Sequence, residues 1–189
     1  MTKEELRHLY KTKRKELDGH ERLRMDDLML IQFQQFNFSD VSTLLTYWPI
    51  SKQAEPNTHL FTGYLRHMVP GIRITYPVAN QSDHTMTAHL ITEDSIYQVN
   101  EWGITEPKDS NPISAEEIDL VFVPLLVCDQ KGYRVGYGKG FYDRYLQACR
   151  PDVITMGFSY FDPVPLITDT HEFDVPLNYC ITPKDVYEF

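Results

Sequence analysis

The chain has 189 residues, 42% apolar and 24% charged. That is a soluble globular composition, long enough to bury the core of one domain spanning residues 1–189. A net charge of -9 excludes a nucleic-acid binder held by bulk charge, though not a local basic site.

The first segment, "MTKEELRHLYKTKRKEL", is charged from its start, and no apolar run reaches the about 18 residues of a membrane span. Neither a signal peptide nor membrane association is expected, and the cytoplasm follows. Thr2 with Glu5 makes a T-x-x-E capping box, and Leu6, Leu9, Tyr10 and Leu17 form an apolar stripe at helical spacing. At about 100° per residue, Lys3, Arg7, Lys11 and Arg14 fall within roughly 80° beside that stripe. Lys3 and Arg7 oppose the helix dipole by about 0.3–1 kcal/mol each. A bound polyphosphate would explain them; a solvated charged face is the alternative. After the break at "LDGHE", Asp18 and Glu21 offer a second cap before the helix "RLRMDDLMLIQFQQF".

"VSTLLTYW" (41–48) is expected as a buried strand and "PNTHLFTGYLRHM" (56–68) as a helix capped near Asn57 or Thr58. "GIRITYPV" (71–78) reads as a strand that Pro77 ends or marks as an edge. "TMTAHLI" (85–91) and "SIYQVN" (95–100) are expected to pair antiparallel, and 100–118 to form a loop. "DLVFVPLLVC" (119–128) has the apolar continuity of a central strand covered on both faces. A glycine-rich stretch, a helix at "FYDRYLQAC", a strand at "DVITMGFS", a Pro-rich loop and "YCIT" complete the chain. Interspersed helices and strands predict an α/β layered domain with a mixed sheet. Cys128, Cys149 and Cys180 have no metal-binding spacing and read as reduced thiols; the seven histidines form no metal pattern either.

The glycine stretch, "DQKGYRVGYGKGFYDRYL" (129–146), carries the chemistry. A strand, a glycine turn and a helix start present free N–H groups to an anion. Gly136, Gly138 and Gly140 let the backbone approach a phosphate, and Arg134 and Lys139 add charged donors. Asp143 could hold a hard cation such as Mg²⁺. The stretch is neither GxxxxGK[ST] nor GxGxxG, so a glycine turn with solvated charges stays open beside a phosphate cradle.

Together "KEELR" (3–7), "EPNT" (55–58), "WGITEP" (102–107), the long glycine motif and "FDVPLNYCITP" (173–183) resemble the 5-formyltetrahydrofolate cyclo-ligase family over nearly the whole chain. The resemblance implies a three-layer α/β/α domain, similar to the sugar-phosphate isomerase and CoA-transferase group. It implies ATP- and Mg²⁺-dependent closure of 5-formyltetrahydrofolate to 5,10-methenyltetrahydrofolate by a monomer whose only partners are small molecules. By position it puts Lys3, Arg7 and Arg134, Val135, Gly136, Tyr137, Gly138, Lys139, Gly140, Phe141 and Tyr142 against ATP. Ile50, Glu55, Trp102 and Tyr137 to Phe141 would meet the folate, and Asp143 and Asp174 the Mg²⁺. Arg134, Lys139 and Tyr142 become the catalytic candidates. Tyr47 and Trp48 read as structural. Phe141 stands where the family commonly has Tyr, Asn178 where many members have Asp, and Tyr137 where some have a basic residue. After "TMGFS", the segment "YFDPVPLI" lacks the Gln often found there. The alternatives are a sugar-phosphate isomerase-like enzyme on a related fold and a non-catalytic nucleotide- or folate-binding paralogue.

Overall fold

A computed structural model describes residues 1–109 and 111–189. Local signals set its helices. Helix α1 (Lys3–Glu16) starts at the Thr2 capping box: Glu5 N–H donates to Thr2 Oγ1 at 3.3 Å and Thr2 N–H to Glu5 Oε2 at 2.8 Å. Helix α2 (Gly19–Phe33) repeats the device with Asp18 and Glu21. Between α2 and the next helix come strand β1 (Thr43–Leu45) and a 3-10 turn (Ser51–Gln53). Helix α3 (Thr58–Met68) comes next, its Asn57 cap accepting from His59 N–H.

The strands after α3 are β2 (Arg73–Asn80), β3 (Thr85–Leu90), β4 (Tyr97–Val99), β5 (Thr105–Pro107) and β6 (Pro112–Ile113). A second 3-10 turn (Ala115–Glu117) leads to β7 (Leu120–Val123), β8 (Val127–Cys128) and β9 (Arg134–Val135). Helix α4 (Phe141–Ala148), β10 (Ile154–Phe158), β11 (Tyr179–Ile181) and β12 (Val186–Glu188) close the chain. Eight strands form one sheet in the order β12-β11-β10-β7-β1-β2-β3-β6. Its centre, β11 to β2, is parallel; β12, β3 and β6 pair antiparallel at the margins.

Alternation along the central strands makes the layers. Leu44, Leu120, Phe122 and Phe158 pack on one face with Met29 and Phe33 of α2 and Phe61 and Leu65 of α3. Leu45, Val121 and Val123 pack on the other with Tyr145 and Leu146 of α4. The sheet is therefore mixed and flanked by helices on both faces, the architecture expected from the sequence. Helix α1 sits to one side, where Leu6 and Tyr10 cover Leu126, Val127 and Val135.

Several sequence expectations need correction. The strand expected over 41–48 is confined to Thr43–Leu45. The strand expected over 71–78 runs instead from Arg73 to Asn80, straight through Pro77. Ile74 O accepts from β3's side (Ile91 N–H) and Thr75 O from β1's side (Thr46 N–H). By alternation Pro77 points its missing N–H toward β1, two residues beyond the last paired position, where no ladder bond is lost. Residues 95–100 do not pair with β3: β4 pairs with β5, and β3 lies between β2 and β6. Asn100 Oδ1 accepts from the N–H groups of Trp102 and Ile104 and folds the connection into a local hairpin. The segment 100–118 thus holds two short strands and a 3-10 turn rather than loop alone; Ser110 within it lies outside the described residues. The run 119–128 is two strands, broken at Pro124, after which Leu126 N–H bonds Val135 O and β8 pairs with β9.

Candidate active site

The parallel strands fix where a ligand can bind. From β1 the chain moves to β2 and β3 on one side, whereas from β7 it moves to β10 and β11 on the other. The switch point therefore lies between β1 and β7, and the crevice beyond their carboxyl ends is where open α/β sheets take ligands. Glu55 comes after β1, and the glycine stretch comes after β7 through the β8–β9 hairpin.

In that stretch Gly138 has φ 89° and Gly140 φ 72°, conformations that suit glycine. Gly140 is the N-cap of α4 and supplies no side-chain cap, so the helix start keeps donors for an anion. Arg7 Nε donates to Gly136 O at 2.9 Å, and Arg144 Nη1 to Lys139 O at 2.8 Å. The Lys139 side chain is exposed, and Tyr142 is half-buried. Burial pushes the Tyr142 hydroxyl far up, helped by the Glu55 charge and opposed by Arg134. Val135 is fully buried among Leu6 and Tyr10, so it can offer a ligand only its backbone.

Beside α4 opens a cleft of about 830 Å³, lined by Gly140, Asp143 and Gln147 on one side and by His171, Phe173 and Asp174 on the other. Both candidate metal carboxylates face it, each tied to a cation. Asp143 Oδ1 accepts from Arg134 Nη2 at 2.9 Å and from Val175 N–H at 3.1 Å; Arg134 Nη1 donates to Val175 O. Arg134 therefore braces Asp143 instead of standing open to the cleft. Burial lowers its basicity, and Asp143 works against that shift. Asp174 Oδ2 accepts from Lys3 Nζ at 2.5 Å and from His171 N–H at 2.6 Å. Burial pushes the Asp174 carboxyl up, but Lys3 and the His171 amide outweigh it and hold the group below its ordinary range. Among the described residues, each Asp engages one oxygen and leaves the other without a protein partner. Two carboxylates lining one cleft, each with an oxygen not engaged by the protein, suit Mg²⁺, which takes one or two carboxylates and completes its shell with phosphate and water.

Of the folate-side candidates, Ile50 and Tyr137 meet Glu55, which is 8% exposed, whereas Trp102 and Phe141 meet each other. Glu55 Oε2 accepts from Ile50 N–H at 2.6 Å, so Ile50 acts through its backbone. Glu55 Oε1 accepts from the Tyr137 hydroxyl at 2.5 Å. Burial raises the Glu55 carboxyl; the Ile50 amide, Tyr137 and Arg14 oppose it. Trp102 is 41% exposed and meets Phe141 edge-on at 5.7 Å, with His84 against the same Phe141 ring. Trp48 instead packs with His59, Tyr76 and Tyr97. Asn178 stands away from the cleft, its Oδ1 accepting from Thr155 N–H and Oγ1.

Sequence reasoning grouped Arg14 with a basic face, but the structure buries it. Arg14 is 2% exposed and donates to Leu125 O at 3.0 Å and to the Tyr137 hydroxyl at 2.6 Å. Asp26 was missed. It is 4% exposed and accepts from Tyr160 OH at 2.9 Å and Asn57 N–H at 3.3 Å, beside the turn that carries Glu55. A signal existed: Asp26 lies at helical spacing with Met29 and Phe33 on the buried face of α2.

A model of the 5-formyltetrahydrofolate cyclo-ligase family matches residues 1–183. The chain belongs to this family. Among curated relatives, the 5-formyltetrahydrofolate cyclo-ligase of Haemophilus influenzae is 36% identical over 102 residues, covering 50% of this chain and 54% of the relative. The Escherichia coli K12 cyclo-ligase is 35% identical over 97 residues, covering 48% and 52%. The chain thus matches about half the length of these cyclo-ligases. The solved 5,10-methenyltetrahydrofolate synthetase of Aquifex aeolicus superposes with a TM-score of 0.79 at 25% identity, covering 100% of this chain and 93% of the other. The Mycoplasma pneumoniae synthetase shares the fold, with a TM-score of 0.75 at 24% identity and coverage of 97% and 99%. Phe141 sets its ring against Trp102, and the Tyr137 hydroxyl has polar partners on both sides.

Proposed function

We propose that this chain is an enzyme that closes 5-formyltetrahydrofolate to 5,10-methenyltetrahydrofolate with ATP as co-substrate, releasing ADP and phosphate. One observation carries the reading: the Tyr137 hydroxyl, inside the glycine stretch, bonds Glu55 at 2.5 Å. The nucleotide-side loop and the folate-side carboxylate therefore meet at one point, as a two-substrate site requires. Family membership supports the same substrates.

A formyl oxygen cannot leave as hydroxide or oxide. Transfer of the γ-phosphoryl group to that oxygen releases ADP and creates a phosphate leaving group. N10 then attacks the formyl carbon, the carbon–oxygen bond breaks, phosphate departs, and the N10 proton is lost. Such a transfer depends on in-line positioning and on cations at the phosphoryl oxygens. Lys3, Arg7 and Lys139 would bind the phosphates, with the α4 N-terminus and the backbone from Arg134 to Tyr142 around them. Arg134 would hold Asp143 in place. Asp143 and Asp174 would hold Mg²⁺, which when bound draws charge from the transferring phosphoryl group. Glu55, with Ile50 behind it, would accept N–H groups of the pterin, and Trp102 and Phe141 would wall its ring. The substrates are its proposed partners, with the chain a monomer in the cytoplasm.

The test mixes purified protein with 5-formyltetrahydrofolate, ATP and Mg²⁺ and follows the absorbance of the methenyl product. We expect a rise that needs all three components. A folded protein that gives no rise at any enzyme concentration would overturn the reading.

A further inference from the structure

We infer that Arg14 is a positioning residue that acts through the Tyr137 hydroxyl to fix Glu55, joining helix α1 and the glycine stretch to the folate-side carboxylate. This rests on the functional reading above and adds a residue to it. Three bonds make a line. Arg14 Nη2 donates to Tyr137 Oη at 2.6 Å, Tyr137 donates to Glu55 Oε1 at 2.5 Å, and Ile50 N–H donates to Glu55 Oε2 at 2.6 Å. Because Arg14 can only donate, the hydroxyl must accept from it and turn its single proton toward Glu55. The direction of the line is therefore fixed, and the carboxylate is gripped on both oxygens.

The anchoring end is buried. Arg14 is 2% exposed and has a second bond to Leu125 O, just past the end of β7. Lys11 Nζ lies 5.6 Å from the Tyr137 ring centre and adds a second cation on that ring. Tyr47 and Tyr142 also face Glu55, and both are neutral hydroxyls whose ionisation is suppressed by burial and by the Glu55 charge. Arg14 is thus the cation through which Glu55 is held. The neighbours of Tyr137 belong to the nucleotide side: Gly136 O accepts from Arg7, and the site of a Gly138 Cβ lies 3.2 Å from Arg7 Nη2. A shift of this loop on nucleotide binding would be felt at Glu55.

Two variants test this, Arg14→Met and the milder Tyr137→Phe, which keeps the ring if Arg14→Met fails to fold. In the free protein, the Ile50 amide proton resonance reports the position of the Glu55 carboxylate. We expect it to move in both variants; an unchanged Ile50 resonance in Tyr137→Phe overturns the inference whether or not the protein binds folate. In steady-state assays we expect KM for 5-formyltetrahydrofolate to rise about tenfold with kcat within about twofold, the size of a lost charge-linked hydrogen bond. In a Glu55→Gln background Arg14→Met should add little to that KM. A full additional effect there would assign Arg14 to general packing and overturn the inference. Wild-type protein that neither binds nor converts 5-formyltetrahydrofolate would instead sink the functional reading, leaving the Ile50 resonance to decide the role of Arg14.

Discussion

Lys3 Nζ lies 2.5 Å from Asp174 Oδ2 across 171 positions of sequence. A residue expected to touch ATP phosphate and one expected to touch Mg²⁺ are therefore partners of each other. The Lys3 backbone N–H also bonds Asp169 Oδ1 at 2.6 Å, so the start of α1 is moored to the same loop.

On the proposed function, the Lys3 ammonium would be shared between Asp174 and an arriving phosphate. Lys3→Met should raise KM for ATP about tenfold, the scale of one charge-assisted bond. Stability should fall by about 1–3 kcal/mol, because the two side chains are only 17% and 19% exposed and Asp174 would lose its charged partner while keeping the His171 N–H. Initial rates against ATP concentration measure the first, and a urea titration the second. An unchanged KM for ATP would remove Lys3 from the nucleotide site.

The glycines of the loop are not equivalent. A Cβ at Gly138 would require a left-handed backbone at φ 89° and would stand 3.2 Å from Arg7 Nη2. At Gly136 the nearest atom would be Pro124 O at 3.8 Å. Gly138→Ala should therefore lower stability by about 1–2 kcal/mol, and Gly136→Ala by under about 0.5 kcal/mol. Equal denaturation midpoints for the two variants would contradict this account.

What could be read in the sequence was local or repeated. The capping boxes of α1 and α2 lie within four residues, and the structure shows both. The interspersed helical and strand patterns predicted the layered sheet, which the structure shows. Strand partners were harder, because "SIYQVN" looks equally able to pair with the strand on its N-terminal side or with one on its C-terminal side. Only the Asn100 turn chose β5. Likewise "DLVFVPLLVC" is apolar throughout, and apolarity says nothing about the break at Pro124. The Arg14–Tyr137–Glu55 line could not be read at all, since its bonds span 123 and 82 positions. A basic residue beside an apolar stripe looks the same whether water or a buried hydroxyl receives it.

Asp26 gives a pH prediction. Burial pushes its carboxyl up to about 6, and the bonds from Tyr160 and Asn57 only partly offset this; Asp27 raises it further and Arg22 lowers it. The folded protein therefore holds the Asp26 proton more tightly than the unfolded chain does. The stability gained is complete below the ordinary aspartate range and is lost as pH rises through about 6. Asp26→Asn keeps the oxygen acceptor and has no charge to form. It should be more stable than wild type by about 1–2 kcal/mol at pH 7.5, with the difference shrinking toward pH 4. Thermal melts of both proteins across that interval give the comparison. A difference that stays constant with pH would show that Asp26 does not titrate in this interval.

The proposed function gives Asp143 two separable roles. Its Oδ1 is occupied by Arg134 and the Val175 N–H, which ties the chain segment after Asp174 to α4. Arg134 has a side chain only 6% exposed, so deleting its partner outright would leave a buried cation, at a cost of about 3–5 kcal/mol. Asp143→Ala would therefore mix damage to the fold with loss of the metal. Asp143→Asn separates them: its amide oxygen can still accept from Val175 and Arg134, while an NH₂ group replaces the open oxygen and repels a cation. The expected result is a folded protein with a moderately lower melting point and a Mg²⁺ requirement raised at least about tenfold. Titrating Mg²⁺ against turnover, with Mn²⁺ binding followed in parallel, reads the metal role directly. If the melting point falls and neither titration moves, Asp143 serves only to hold Arg134 and the loop, and Asp174 must hold the cation without it.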